Sequence, residues 1–87
     1  MYDLEIRENV DGIFRKLANK DKVSFEYIKK KIQEIRENPY HFKPLRSPLQ
    51  SYRRVHIGNY VLVYSIDEKR KTIIIERYKH HDEVYLV

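Results

Sequence analysis

The run from Tyr52 to Tyr64, Tyr-Arg-Arg-Val-His-Ile-Gly-Asn-Tyr-Val-Leu-Val-Tyr, leaves this chain few ways to fold. Two stretches rich in β-branched and aromatic residues flank the pair Gly58-Asn59. Both turn residues tolerate positive φ, which the primed two-residue hairpin turns require. The pattern predicts strands at Tyr52–Ile57 and Tyr60–Ile66. A third strand is predicted at Thr72–Tyr78, after the charged turn Asp67-Glu68-Lys69-Arg70-Lys71.

Earlier in the chain the apolar period changes twice. Tyr2, Leu4 and Ile6 alternate with Asp3, Glu5 and Arg7, as in a half-buried strand. Val10, Ile13, Phe14 and Leu17 then recur at helical spacing, with Asn9 or Asp11 as the expected cap. After Asn19-Lys20-Asp21 a longer helix is expected, with Phe25, Ile28, Ile32 and Ile35 on one stripe and Ser24 as its cap. Asn38-Pro39 ends it, because the residue before proline resists the α conformation. Residues 39–51, with three prolines, read as an irregular loop anchored by Leu45 and Leu49. The order is a strand, a helical hairpin and three antiparallel strands: one α+β domain spanning residues 1–87, its sheet covered by two helices. Val61, Val63, Ile73 and Ile75 are expected on the helix-covered face, since alternate strand residues point the same way.

Charge is distributed unevenly along this pattern. Residues 1–42 hold 9 basic and 8 acidic side chains, whereas residues 43–81 hold 9 basic and 3 acidic ones. The excess of +6 therefore sits with the strands, and such clustering favours a polyanionic partner. The absence of cysteine excludes a disulfide framework or thiolate metal site and suits a cytoplasmic protein. No apolar run approaches the roughly 20 residues of a membrane span, so no membrane partner is expected.

The strands also carry the chemistry. Arg53 and Arg54 are adjacent and so point to opposite faces, while Arg54 and His56 share one, setting a fixed cation beside a titratable imidazole. The densest cluster is Arg77-Tyr78-Lys79-His80-His81-Asp82-Glu83-Val84-Tyr85. Breaking an RNA phosphodiester needs a base for the 2′-hydroxyl, an acid for the 5′-oxygen and cations for the phosphate oxygens. Histidine serves the first two needs and lysine or arginine the third. His80, His81 and Asp82 lack metal-ligand spacing, and no metal or other cofactor is expected.

With these motifs the chain resembles the RelE/ParE toxin superfamily of type II toxin–antitoxin modules over nearly its full length. Arg53-Arg54-Val55-His56-Ile57-Gly58-Asn59-Tyr60 through Tyr64 is similar to the family pattern Arg-Arg-x-Arg-x-Gly-Asp-Tyr-Arg-x-x-Tyr, and Lys79-His80-His81-Asp82-Glu83-Val84-Tyr85 to Gly-His-Arg-x-x-Val-Tyr. The RelE branch cuts messenger RNA in the ribosome by attack of the 2′-hydroxyl on the neighbouring phosphate. The ParE branch instead inhibits DNA gyrase. A degenerate member would keep only antitoxin binding. The resemblance implies Arg54 and His56 as the first-strand cations and Tyr85 as the terminal tyrosine, and places His81 where many members have arginine. Together with the chemistry of the strands and the terminal cluster, this gives His81, Tyr85 and Arg54 as candidate catalytic residues and Arg53, His56, Arg77, Lys79 and His80 as candidate RNA-binding ones. The resemblance also implies a cognate antitoxin, the ribosome and mRNA as partners. At position 61 many members carry an arginine thought to stabilise the reacting phosphate; this chain has Val61.

Overall fold

The computed structural model describes residues 1–84. A four-stranded sheet in the order β1-β4-β3-β2 is built from β1 (Asp3–Ile6), β2 (Tyr52–Ile57), β3 (Tyr60–Asp67) and β4 (Thr72–His80). One face carries α1 (Glu8–Lys20) and α2 (Lys22–Glu37), and a single turn, α3 (His81–Val84), follows β4. The last three strands pair antiparallel, as expected. The first lies parallel to β4, Leu4 opposite Ile73 and Ile6 opposite Ile75, a pairing the sequence had left open. Helices intervene between β1 and β4, which is what a parallel pairing requires of its connection.

Both helices begin earlier than local signals indicate. α1 starts after Arg7, which offers no side-chain cap because a guanidinium has no acceptor for the exposed backbone N–H groups; it donates to Glu76. α2 starts at Lys22, and its cap is Asp21 rather than Ser24. The Asp21 carboxylate accepts from the Ser24 backbone N–H at 3.1 Å and from its hydroxyl at 2.7 Å. Those bonds favour the ionised form and hold the Asp21 carboxyl below its usual range. Asp21 also ends α1, so one residue makes the whole corner of the helical hairpin.

Val10, Phe14, Ile28, Ile32 and Ile35 from the helices meet Val55, Ile57, Leu62, Tyr64, Ile73, Ile75 and Tyr78 from the sheet. Each large aliphatic side chain sealed here contributes about 1.5–3 kcal/mol, the main source of stability in so short a chain. The Tyr64 hydroxyl is buried with them and donates to the Pro39 carbonyl at 2.6 Å, fastening the start of the 39–51 loop to the sheet. Pro44 bridges Arg53, the Leu45 N–H donates to the Tyr52 carbonyl, and the Arg54 N–H donates to the Lys43 carbonyl. The loop thus covers part of the β2 edge that would otherwise invite pairing with another chain. At the hairpin turn only Gly58 takes positive φ, at 60°, as a type II′ turn demands of its first central residue.

Candidate functional site

Which side chains reach the open face of the sheet depends on β3 and β4. Val61 and Val63 do not face the helices with Ile73 and Ile75. They form a second cluster on the opposite face, beneath Leu45 and Tyr52 of the folded-over loop. Leu62 and Tyr64 take the helix-facing positions instead. The expectation failed because Val61, Leu62, Val63 and Tyr64 are all buried, from one side or the other. A strand covered on both faces shows no alternation from which to choose its inner side.

β4 contains an irregularity with chemical consequences. Tyr64 pairs with Ile75 but Val63 pairs with Arg77, so Glu76 is an extra residue, a β-bulge. If Glu76 were instead paired in a regular strand, Arg77 and Lys79 would follow Ile73 and Ile75 onto the helix-facing side. With the bulge, Tyr78 enters the core and both cations turn outward. Glu76 is itself held there by the Arg7 guanidinium at 3.0 Å and the Ser65 hydroxyl at 2.6 Å. That carboxylate raises the pKa of Arg7, fixing the charge of the pair.

Two rows of side chains result, each crossing three strands. One is Arg54–Val63–Arg77 and the other His56–Val61–Lys79, an apolar residue flanked by basic groups in both cases. Neighbouring strands lie about 4.8 Å apart, so each row spans roughly 10 Å, short enough for both ends to address one phosphodiester. His81 joins the second row. Its backbone N–H donates to the Asn59 carbonyl at 2.9 Å, and its ring centre lies 6.0 Å from that of His56. His81 Nδ1 lies 3.2 Å from Asp82 Oδ1, so with its proton on Nδ1 the ring donates to the carboxylate and presents a basic Nε2.

The remaining sequence candidates go elsewhere. Arg53 points to the helix side, where its guanidinium donates to the Phe42 carbonyl at 2.6 Å and lies 5.1 Å over the Tyr40 ring. His80 also falls on that side, edge-on to Tyr60, which is stacked on Tyr78. Tyr85 lies outside the described residues. Among the described residues no three His, Asp or Glu side chains converge as a metal would need. Sequence reasoning marks Leu45 and Leu49 only as loop anchors and gives no site role to Tyr52 or Arg7; all four line a cleft of about 590 Å³ beside the first row. Their contribution depends on where residues 39–51 fold back, and no local period encodes that.

The chain matches the family model described as the ParE toxin of the type II toxin–antitoxin system parDE over residues 2–85. It is 45% identical to a Methanocaldococcus jannaschii protein assigned by name to the RelE toxins (RelE4), covering 98% of this chain and 92% of that one. Among solved structures it superposes on isolated E. coli RelE toxin with a TM-score of 0.74 at 24% identity, covering 99% and 93% of the two chains. For a YoeB/ParE toxin from Agrobacterium tumefaciens the TM-score is 0.79 at 15% identity, covering 91% and 98%. At such identities the structures establish the shared α+β fold. With the family model spanning almost every residue, the chain belongs to the RelE/ParE superfamily and is a toxin of the type II toxin–antitoxin kind.

Proposed function

We propose that this toxin cuts messenger RNA on the ribosome, without a metal ion, and is held inactive by a cognate antitoxin. One observation carries the reading: the bulge at Glu76 turns Arg77 and Lys79 onto the face that already holds Arg54, His56 and His81. Cleavage by the neighbouring 2′-hydroxyl forms a bond from that oxygen to phosphorus and breaks the bond to the 5′-oxygen. The products are a 2′,3′-cyclic phosphate and a free 5′-hydroxyl. One imidazole takes the 2′ proton and another group gives a proton to the leaving oxygen. His56 and His81, 6.0 Å apart, suit opposite sides of a phosphate, and Arg54, Arg77 and Lys79 offset the charge that gathers on its oxygens. Tyr85, four residues beyond His81, remains a second proposed catalytic group. The antitoxin is proposed because solved relatives include RelBE2 from Mycobacterium tuberculosis and the YoeB-YefM complex from Staphylococcus aureus, both toxin–antitoxin complexes.

A ParE-like inhibitor of DNA gyrase is the second reading, favoured by the ParE description of the matching family model and by Val61. Primer extension on a message being translated in a purified system separates the two. New 5′ ends within ribosome-bound message are the expected result. Intact message together with gyrase-linked DNA breaks would replace the nuclease with the gyrase inhibitor.

A further inference from the structure

The cleft beside the Arg54–Val63–Arg77 row has no part in the proton transfers described above, yet it opens onto the same face. It is lined by Val63, by the half-buried Tyr52 and Leu45 that pack against the Val61–Val63 cluster, and by Leu49 of the folded-over loop. Arg77 and Lys79 line it as well. A volume of about 590 Å³ lies within the usual range of ligand pockets, roughly 300–1,000 Å³. An aromatic and aliphatic lining accepts a flat ring system, while cations in the same lining select for one attached to phosphate.

Charge complementarity argues for nucleic acid over an apolar peptide. Arg7, Arg77 and Lys79 line the cleft against one carboxylate, Glu76. Both oxygens of that carboxylate are already engaged, by Arg7 and by Ser65. Position argues for a nucleotide next to the reacting one. Val63 is two residues along β3 from Val61, roughly 6.8 Å, and Val61 is flanked by His56 and Lys79. Asn9 in the lining carries both a donor and an acceptor suited to a base edge.

We propose that this cleft binds the nucleobase adjacent to the cleaved phosphate and thereby sets the sequence preference of cutting, an inference that rests on the nuclease reading. The test does not require cleavage. Backbone amide shifts are followed by NMR while each of the four nucleoside 5′-monophosphates is added, with inorganic phosphate as the charge control. At least one nucleotide should move the Tyr52, Val63 and Arg77 amides at about one-tenth the concentration that phosphate needs. Tyr52→Phe should keep this advantage and Tyr52→Ala lose it. Leu49→Asp, at an exposed position, should weaken nucleotide binding about tenfold without touching the core. Equal responses to phosphate and to all four nucleotides, or shifts confined to another surface, would overturn the base pocket. Base-selective binding by a protein that leaves ribosome-bound message intact would overturn the nuclease reading and leave the pocket standing. On ribosome-bound message, Tyr52→Ala should cut with a flattened base preference next to the new end. An unchanged preference would remove the cleft from specificity.

Discussion

His80 and His81 are neighbours in sequence and both flank the Asp82 carboxylate, yet His80 ends β4 and His81 opens α3, and their rings meet different partners. His81 approaches His56, whereas His80 meets the Tyr60 ring edge on. The two should therefore respond differently to substitution. His81→Ala should lower single-turnover cleavage of ribosome-bound message by about 10²–10⁴-fold, the usual range for a lost acid–base group. His80→Ala should cost much less, with circular dichroism verifying that both variants fold. Equal losses would mean that approach to the His56 ring does not distinguish the two imidazoles. Tyr64 shows a residue acting on structure instead. Its hydroxyl is buried and satisfies the Pro39 carbonyl, so Tyr64→Phe strands a buried acceptor at a cost of about 1–3 kcal/mol. In a domain of this size that lowers the melting temperature by about 4–8 °C per kcal/mol, readable by calorimetry.

At the scale of elements, β4 decides the site. Its extra residue lets one strand serve the core with Ile73, Ile75 and Tyr78 and the open face with Arg77 and Lys79. Deleting Glu76 would join Ile75 directly to Arg77 and restore a regular strand in which every later residue keeps its face. The deletion should fold, lose the bonds to Arg7 and Ser65, and keep Arg77 opposite Val63 in cross-strand NOEs. Deleting Ile74 instead would shift the first part of β4 by one residue against β1 and β3 and move its apolar side chains to the wrong faces. That variant should not fold. If both deletions behaved alike, the bulge would not set the register.

For the whole molecule the salt response and the pH response arise from different groups. If the open face meets RNA, binding should weaken steeply with salt, and removing one phosphate contact should reduce the logarithmic slope by about 1. Lys79→Ala should show this reduction, while Lys30→Ala, on the exposed side of α2, should change the slope little. At high pH two phenols matter. The Tyr40 hydroxyl donates to Glu68, and that bond raises its pKa to about 12; burial raises that of Tyr64 to about 12. In the unfolded chain both titrate near 10, so the folded state retains protons that the unfolded state loses. Their stabilisation is complete below pH 10 and disappears as the pH rises through 12. Urea midpoints between pH 8 and 12 should fall accordingly, and a Tyr40→Phe/Tyr64→Phe variant should show a flatter decline. In acid the sign reverses. Asp21, Asp67 and Glu68 are held below their usual values by hydrogen bonds to Ser24, Arg70 and Tyr40 respectively, and that support is lost as they protonate.

The sequence alone determined the elements: a hairpin about Gly58-Asn59, two amphipathic helices with a break within 19–21 and an end at Asn38-Pro39, and basic strands with histidines at their close. Local chemistry suffices for these, since turn residues, apolar period and charge act over a few neighbours. Tertiary structure decided which face each strand presents. Burial of β3 on both sides erased its alternation, and one added residue in β4 reversed the parity of everything after it. It also made Arg53 a clasp for Phe42 and Arg54 part of the open face, and joined Tyr52 to Leu45 and Leu49 around a cleft. Each of these outcomes depends on contacts between residues distant in sequence, where side-chain direction is fixed by partners that no local window contains.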